Sequence, residues 1–420
     1  MPLFPLRAIR VLLYGLGPLG ISKGSNGWGK RFVNSMKIAN ALKFVLLIGV
    51  VSFFADFTYE GSRSITGPYL AILGASATAV GIIAGMGELL GYGLRLFSGP
   101  LSERTGKFWP VTLIGYFVQM LSVPALALAR SWQSAAVLIV LERIGKAIRN
   151  PPRDVMLSHA AKEMGYGWGF GVHEALDQSG ALFGPLLVAL ILSRHHRYPR
   201  AFATLLVPAL TTLSMLILAR FAYPRPEDLE VAPPADLRAG GLPRIFWIYL
   251  SGAALVAAGF ADFSLIGYHF EKTSVVPRVW VPLFYSVSMA VSGVGSLLFG
   301  SLFDRLGVTV LVPLTVLSAF SAPLIFLGNF WLALLGVGLW GLGMGVHESI
   351  IPAAVAYMVP QQRRGSAYGI FTAGYGVCWF VGSASMGLLY NVFLPALVTF
   401  SVVAEIAAIP IFLKVRSASR

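Results

Sequence analysis

The sequence predicts an all-α integral membrane protein of twelve transmembrane helices in two pseudo-symmetric six-helix bundles. Three observations carry that expectation. The first is composition. Of 420 residues, 56% are hydrophobic and only 12% are charged, whereas a soluble chain carries about a quarter charged residues. The second is spacing. Apolar runs long enough to cross a bilayer as a helix recur throughout, and they lack the alternation of outer-membrane barrel strands. The third is an internal repeat. Phe54-Ala55-Asp56-Phe57 recurs as Phe260-Ala261-Asp262-Phe263, and Pro152, Gly165 and Gly169 recur as Pro352, Gly365 and Gly369. Gly99, Leu101, Arg104 and Gly106 recur at the same spacing as Gly300, Leu302, Arg305 and Gly307.

Taken in order, residues 1–40 read as a cytoplasmic N-terminal extension. Their apolar part, MPLFPLRAIRVLLYGLGPLG, is broken by Pro and Gly and is too interrupted to span a bilayer. No small-residue cleavage site closes it as a signal peptide would. An interfacial helix is expected there, and Met36, just before the first span, is an alternative start. The first bundle, 41–221, holds spans at 41–62, 76–98, 108–129, 133–150, 168–193 and 201–221. The Pro-rich segment 222–243 reads as a flexible cytoplasmic linker. The second bundle, 244–414, holds spans at 244–269, 280–300, 308–328, 331–358, 366–390 and 393–413, and 415–420 form a cytoplasmic tail.

Lys and Arg concentrate in the terminal segments and in the loops on their side. The positive-inside rule therefore places both termini in the cytoplasm, in an inner or plasma membrane. The basic outer loop RHHRYPR at 194–200 is outvoted. The same distribution accounts for the net charge of +14 without a nucleic-acid partner. Cys378 is the only cysteine, so no intramolecular disulfide and no Cys-based metal site is available. His195-His196 is too sparse for a metal site, and GVGSLLFG and GLGMG read as packing glycines. A monomer without cofactor or metal is expected.

Charges inside apolar spans are costly in hydrocarbon and mark functional-site candidates. The stretch 142–185 is the densest. In the fourth span, Glu142, Lys146 and Arg149 share a helical stripe with Arg143 beside it. They form either an internal ion network, with Glu142–Lys146 as an i, i+4 pair, or a cationic patch for an anionic substrate group. Pro151-Pro152 is expected to end this helix. In the fifth span, His173, Asp177, Gly180 and Gly184 share a stripe and Glu174 lies on an adjacent face. The glycines admit a neighbouring helix closely. An acid and a His on such a seam can take up or release a proton; the alternative is that Asp177 or Glu174 neutralises a nearby cation.

Asp56, Glu60 and Arg63 share a stripe of the first span, and Asp262 is the repeat counterpart of Asp56. The two aspartates are expected to face each other across a cavity, or else to hold a gate or a broken helix turn. Glu88 and Arg95 are spaced as an ion relay in the second span. His347 and Glu348 occupy the tenth. The proton-coupling candidates are Asp177, Glu174, His173, Glu348, Asp56 and Asp262. The substrate-cavity candidates are Glu142, Arg143, Lys146, Arg149, Glu60 and His347.

With these motifs in place, the chain from about residue 40 onward resembles the major facilitator superfamily. The family signature Gly-x-Leu-x-Asp-Arg-x-Gly reads GPLSERTGK at 99–107 and GSLFDRLG at 300–307, with Glu103 replacing the Asp and Asp304 keeping it. The resemblance implies a gating latch at Gly99, Glu103, Arg104, Gly106, Asp304 and Arg305. Gly171, Gly180, Gly184 and Pro185 resemble the family's antiporter motif, with Val188-Ala189 standing where a Gly pair often closes it. GKAIRNPPRD at 145–154 is similar to a prokaryotic subgroup. The resemblance implies a central cavity lined by helices 1, 4, 7 and 10, and proton-coupled export of a small molecule or ion by alternating access, fitting the internal repeats of secondary transporters. Two alternatives stay open: an organic or inorganic anion uniporter or exchanger, and a non-transporting membrane sensor on the same fold. No nucleophile–base set or nucleotide-binding domain points to an enzyme.

Overall fold

A computed structural model of the chain describes residues 27–164, 166–224, 241–359 and 364–418. The apolar N-terminal segment and most of the linker, with the expectations placed on them, lie outside the described residues. Among the described residues there is no strand. Residues Ala41–Arg420 form one compact unit; the described residues before it are helical.

Six long helices precede the linker. They are α1 (Gly27–Ile72), α2 (Ala77–Gly93, continued past Leu94 by Arg95–Thr105), α3 (Phe108–Ala125), α4 (Trp132–Met164), α5 (Tyr166–His195) and α6 (Tyr198–Thr204 and Leu206–Ala222). Six follow it. They are α7 (Arg244–Gly259 and Phe263–Thr273), α8 (Trp280–Leu306), α9 (Gly307–Val310, Leu311–Ala319 and Ser321–Phe326), α10 (Phe330–Gly345, Val346–Ile350 and Ile351–Met358), α11 (Arg364–Val392) and α12 (Leu394–Ala418). Ten of the twelve are long and apolar enough to cross a membrane. The other two are less apolar: α4 carries four charges from Glu142 to Arg149, and α11 is rich in glycines, serines and aromatics.

Two boundaries differ from the sequence reading. First, α4 does not end at Pro151-Pro152 but runs through both prolines to Met164. Pro151 lacks the N–H that would bond the Ala147 carbonyl. The Ser98 hydroxyl of α2 donates to that carbonyl at 2.9 Å instead, so the lost bond is replaced from a neighbouring helix. Second, α1 continues past residue 62 to Ile72, because the charges at its expected end find partners inside the protein. The motif glycines Gly106 and Gly307 both follow a helix with positive φ, 63° and 61°, a conformation that favours glycine.

Glycine contacts bring helix backbones together. A Cβ at Gly180 or Gly184 of α5 would fall on the carbonyl oxygen of Phe53 or Phe57 in α1. A Cβ at Gly67 of α1 would strike Ser264 of α7, and one at Gly81 of α2 would strike Ser383 of α11. The last two contacts lie where α1 gives way to α2, at the end of the bundle remote from the Ala418 end of α12. There Asn391 also donates to Thr78 at 2.8 Å and Tyr198 to Glu271 at 2.9 Å. At that end the helices before and after the linker are pressed together.

Gly184→Val should therefore overpack the α1–α5 contact and destabilise the protein by about 1–3 kcal/mol. Gly171→Ala, where a Cβ meets open space, should not. Thermal unfolding in detergent micelles separates the two; equal midpoints would show that α5 does not seat on α1 as described.

Candidate functional site

Arg149 is the most buried cation of the described chain and anchors the site. Glycines explain its place. A Cβ at Gly115 of α3 would collide with Arg149 itself, and one at Gly145 of α4 with Gln119. The two helices can thus approach until the guanidinium lies between them. There Arg149 donates from Nε to Gln119 at 2.5 Å, from Nη1 to the Tyr116 hydroxyl at 2.9 Å and from Nη2 to Asp56 of α1 at 3.3 Å. Its guanidinium also stands 4.4 Å from the Tyr116 ring centroid, a favourable cation–π distance.

The network continues outward. The Gln119 amide donates to Glu142 at 3.1 Å, and Glu142 lies 3.5 Å from Arg143. Arg143 donates to the Tyr59 hydroxyl and pairs with Glu88 of α2 at 3.0 Å. Glu88 also accepts from Arg63 of α1 at 3.4 Å, and Arg63 reaches Asp262 of α7 at 3.9 Å. Charges alternate in sign along this path, so almost every buried ion has an opposite neighbour. A buried ion stripped of its partner is strongly destabilising.

This geometry rearranges several sequence expectations. Glu142 and Lys146 do not form an ion pair among the described residues; Glu142 turns to Gln119 and Arg143. Glu88 pairs with Arg143 and Arg63, not with Arg95. Asp56 does not look across to Asp262, because Arg149 holds it on the α3–α4 side. Asp262 sits at the break in α7, where it accepts from the Ser264 N–H at 2.9 Å and caps the second half of the helix. Repeat-equivalent positions thus carry different tasks.

A cavity of about 80 Å³ lies between the helices before and after the linker. Tyr59, Glu60, Arg63, Glu88, Tyr92, Arg95, Arg143 and Lys146 line it from α1, α2 and α4; Met344, His347, Glu348 and Trp379 line it from α10 and α11. Helix α7 supplies no lining residue, and α2 and α11 take part instead. Among the substrate candidates, Arg143, Lys146, Glu60 and His347 line the cavity. Arg149 lies behind it, and Glu142 faces a smaller neighbouring cavity with Arg143.

Lys146 and Arg95 make no ion pair among the described residues. Lys146 Nζ rests 3.8 Å above the Tyr59 ring and Arg95 5.4 Å from that of Tyr92. On the facing wall, α10 makes a π-helical turn at Val346–Ile350. His347 is held there by the Tyr375 hydroxyl and the Phe260 ring at 4.3 Å, and Glu348 is exposed to the cavity. Glu60 accepts from Tyr285 of α8 at 2.5 Å.

The remaining coupling candidates gather on the α1–α5 seam. His173 is buried and bonds Ser52 of α1 at 2.8 Å. Asp177 has a buried Oδ1 without a hydrogen bond among the described residues, within electrostatic reach of Asp56, Arg153, Glu174 and Arg149. Glu174 is exposed and accepts from Gln178 at 3.0 Å. Of the latch residues, Arg305 is exposed; the side chains of Glu103, Arg104 and Asp304 lie outside the described residues. Two kinds of residue escaped the sequence reading. Gln119, Tyr116 and Tyr285 are neutral, so nothing marked them. Glu405 of α12 is a fully buried acid, and the rule that singled out Glu348 would have found it.

Arg149→Met should cost about 3–5 kcal/mol, because it strands the Asp56 carboxylate. Adding Asp56→Asn should recover part of that loss by removing the orphaned charge. Chemical unfolding in mixed micelles measures the cycle; additive effects of the two substitutions would show that the pair is not coupled.

Comparison with known proteins places this architecture. The family model described as Major Facilitator Superfamily matches residues 46–383 and 279–419. An uncharacterized protein of Mycobacterium tuberculosis is 39% identical over 383 residues, 90% of this chain and 94% of that one. A multidrug resistance protein MdtH of Cronobacter sakazakii is 26% identical over 170 residues, 39% of this chain and 41% of that one. A crystal structure of the nucleoside transporter NupG superposes with a TM-score of 0.72 at 14% identity, covering 88% of this chain and all of that one.

Proposed function

The chain belongs to the major facilitator superfamily, and on that premise we propose that it is a proton-coupled secondary transporter that exports a small molecule by alternating access. The observation that carries this reading is the charged cavity between the two sets of six helices, with a half-buried acid on the seam beside it, Asp177, whose Oδ1 has no hydrogen bond among the described residues. In this reading residues 41–221 and 244–414 are two bundles that rock about the cavity, in an inner or plasma membrane with both termini cytoplasmic. The closed contacts at Gly67–Ser264 and Gly81–Ser383 then form the outer gate. The latch motifs at 99–107 and 300–307 work at the opposite end.

Asp177 is the leading proton carrier. Its Oδ1 has no hydrogen bond among the described residues, its stripe holds the α5 glycines against α1, and it feels both Asp56 and Arg149. Rocking of α5 on α1 would change that field and so its hold on a proton. His173, committed to Ser52, positions the seam. Glu348 faces the cavity and is placed to sense substrate. Export is favoured by the antiporter-like glycine pattern of α5 and by the partial likeness to a multidrug resistance protein. The monomer suffices, since each chain holds a whole cavity.

A second reading, anion exchange, has its own support. Lys146 and Arg95 line the cavity without carboxylate partners among the described residues, so an organic anion would find two cations and the tyrosine rings beneath them.

Proteoliposomes with an entrapped pH dye distinguish the readings, with ethidium as cationic probe and benzoate as anionic probe. Proton-coupled export predicts proton movement evoked by a transported probe, reduced at least about tenfold in Asp177→Asn while gradient-free exchange persists. Transport of a probe with no response to an imposed pH gradient would refute the coupling. Loss of benzoate binding in Lys146→Gln and Arg95→Gln, with proton movement intact, would favour the exchanger.

A further inference from the structure

Glu405 stands apart from the acids of the site. It is fully buried in α12, and neither carboxyl oxygen has a hydrogen-bond partner among the described residues. The helices packed on α12 are α7, α9 and α11. From them only the Ser318 side chain of α9 faces the carboxyl, and its hydroxyl is itself buried without completing a hydrogen bond. No Lys, Arg, His, Asp or Glu among the described residues acts on it. Every other buried acid discussed above has a cation, a tyrosine or a helix N-terminus nearby.

Its position gives this a consequence. A Cβ at Gly259 would lie 3.0 Å from Glu405 Cγ, and Ser401, one turn earlier in α12, donates to the Gly259 carbonyl at 2.6 Å. Gly259 is the last residue of the first half of α7, before the break at Phe260–Asp262. Within the break, Trp340 of α10 donates to the Ala261 carbonyl at 2.7 Å, and beyond it Ser264 packs on Gly67 of α1 at the closed end. Glu405 therefore sits directly behind the hinge that carries the closed contact. A carboxylate with no partner in an apolar core is costly enough that the group takes up a proton instead.

We propose that Glu405 is a second proton-binding site, in the half of the molecule after the linker, that sets the α7 hinge. With the remote end closed the carboxyl is neutral and its O–H is retained. When the hinge moves and water reaches Gly259, the O–H bond breaks, the proton leaves to water, and the carboxylate holds the hinge in its opened form. This goes beyond the assignment of Asp177 and needs no particular substrate, but it rests on alternating access.

Two measurements on the full-length protein test it. In lipid nanodiscs at neutral pH, the infrared carbonyl band of protonated carboxyl groups should lose a component in Glu405→Gln. An unchanged band overturns this proposal alone. In proteoliposomes, Ser383→Cys in a Cys378→Ala background reports opening of the closed end through alkylation by an impermeant maleimide. The alkylation rate, divided at each pH by that of the same cysteine in the detergent-unfolded protein so that the thiol's own ionisation cancels, should rise with pH, at most about tenfold per unit for a single proton. Glu405→Gln and the apolar Glu405→Leu should both abolish that rise. A rise that persists in both variants overturns the proposal. Absence of alkylation at every pH overturns alternating access, and this proposal with it.

Discussion

The arrangement depends on one constraint: an ion taken out of water must meet its opposite. Arg149 has no exposed surface, yet Asp56, Gln119 and Tyr116 satisfy its guanidinium on three sides. From that point the pairing propagates through Glu142, Arg143, Glu88 and Arg63 to Asp262. The chain of ions ties α3 and α4 to α1 and α2, and its last link crosses to α7. Any motion between the two sets of six helices must stretch or exchange that link. Buried ion pairs are weak evidence for stability but suit a switch, since each partner is bound to the other's position.

The helices accommodate this network through small residues and local irregularities. Gly115 and Gly145 bring α3 and α4 close enough for the Arg149 contacts. The α7 break exposes backbone N–H groups that Asp262 caps, and the Ala261 carbonyl is met by Trp340. The π-helical turn of α10 falls at His347 and Glu348, as such turns often do at functional positions. Irregular backbone in an apolar setting survives only where side chains meet the freed groups. Ser98 at Ala147, beside Pro151, is the same device applied to α4.

Much of this was legible in the residues. Ten of the twelve helices follow from hydropathy alone, since only helices of that length satisfy their backbone within a bilayer; α4 and α11 needed the internal repeat as well. The α5 glycine stripe showed that a helix would pack there, though not that it is α1. Helical spacing put Glu142, Lys146 and Arg149 on one stripe, but a stripe is wide enough to be divided. Arg149 turns to α3, whereas Lys146 turns to Tyr59 and the cavity. The Pro151-Pro152 pair looked like a helix end because its remedy, Ser98, lies 53 positions earlier in the chain. Glu405 was visible as a lone acid in an apolar run; its isolation from every cation among the described residues was not.

The sequence by itself determined the fold class and the family. Each of these rests on local hydrophobicity and short-range spacing, which a single segment carries. Only the tertiary structure decided which charges pair, which remain free to meet a ligand, and which acid stands behind the α7 hinge. Those outcomes depend on contacts between helices far apart in the chain, where a shift of a few ångströms decides whether a buried ion has a partner.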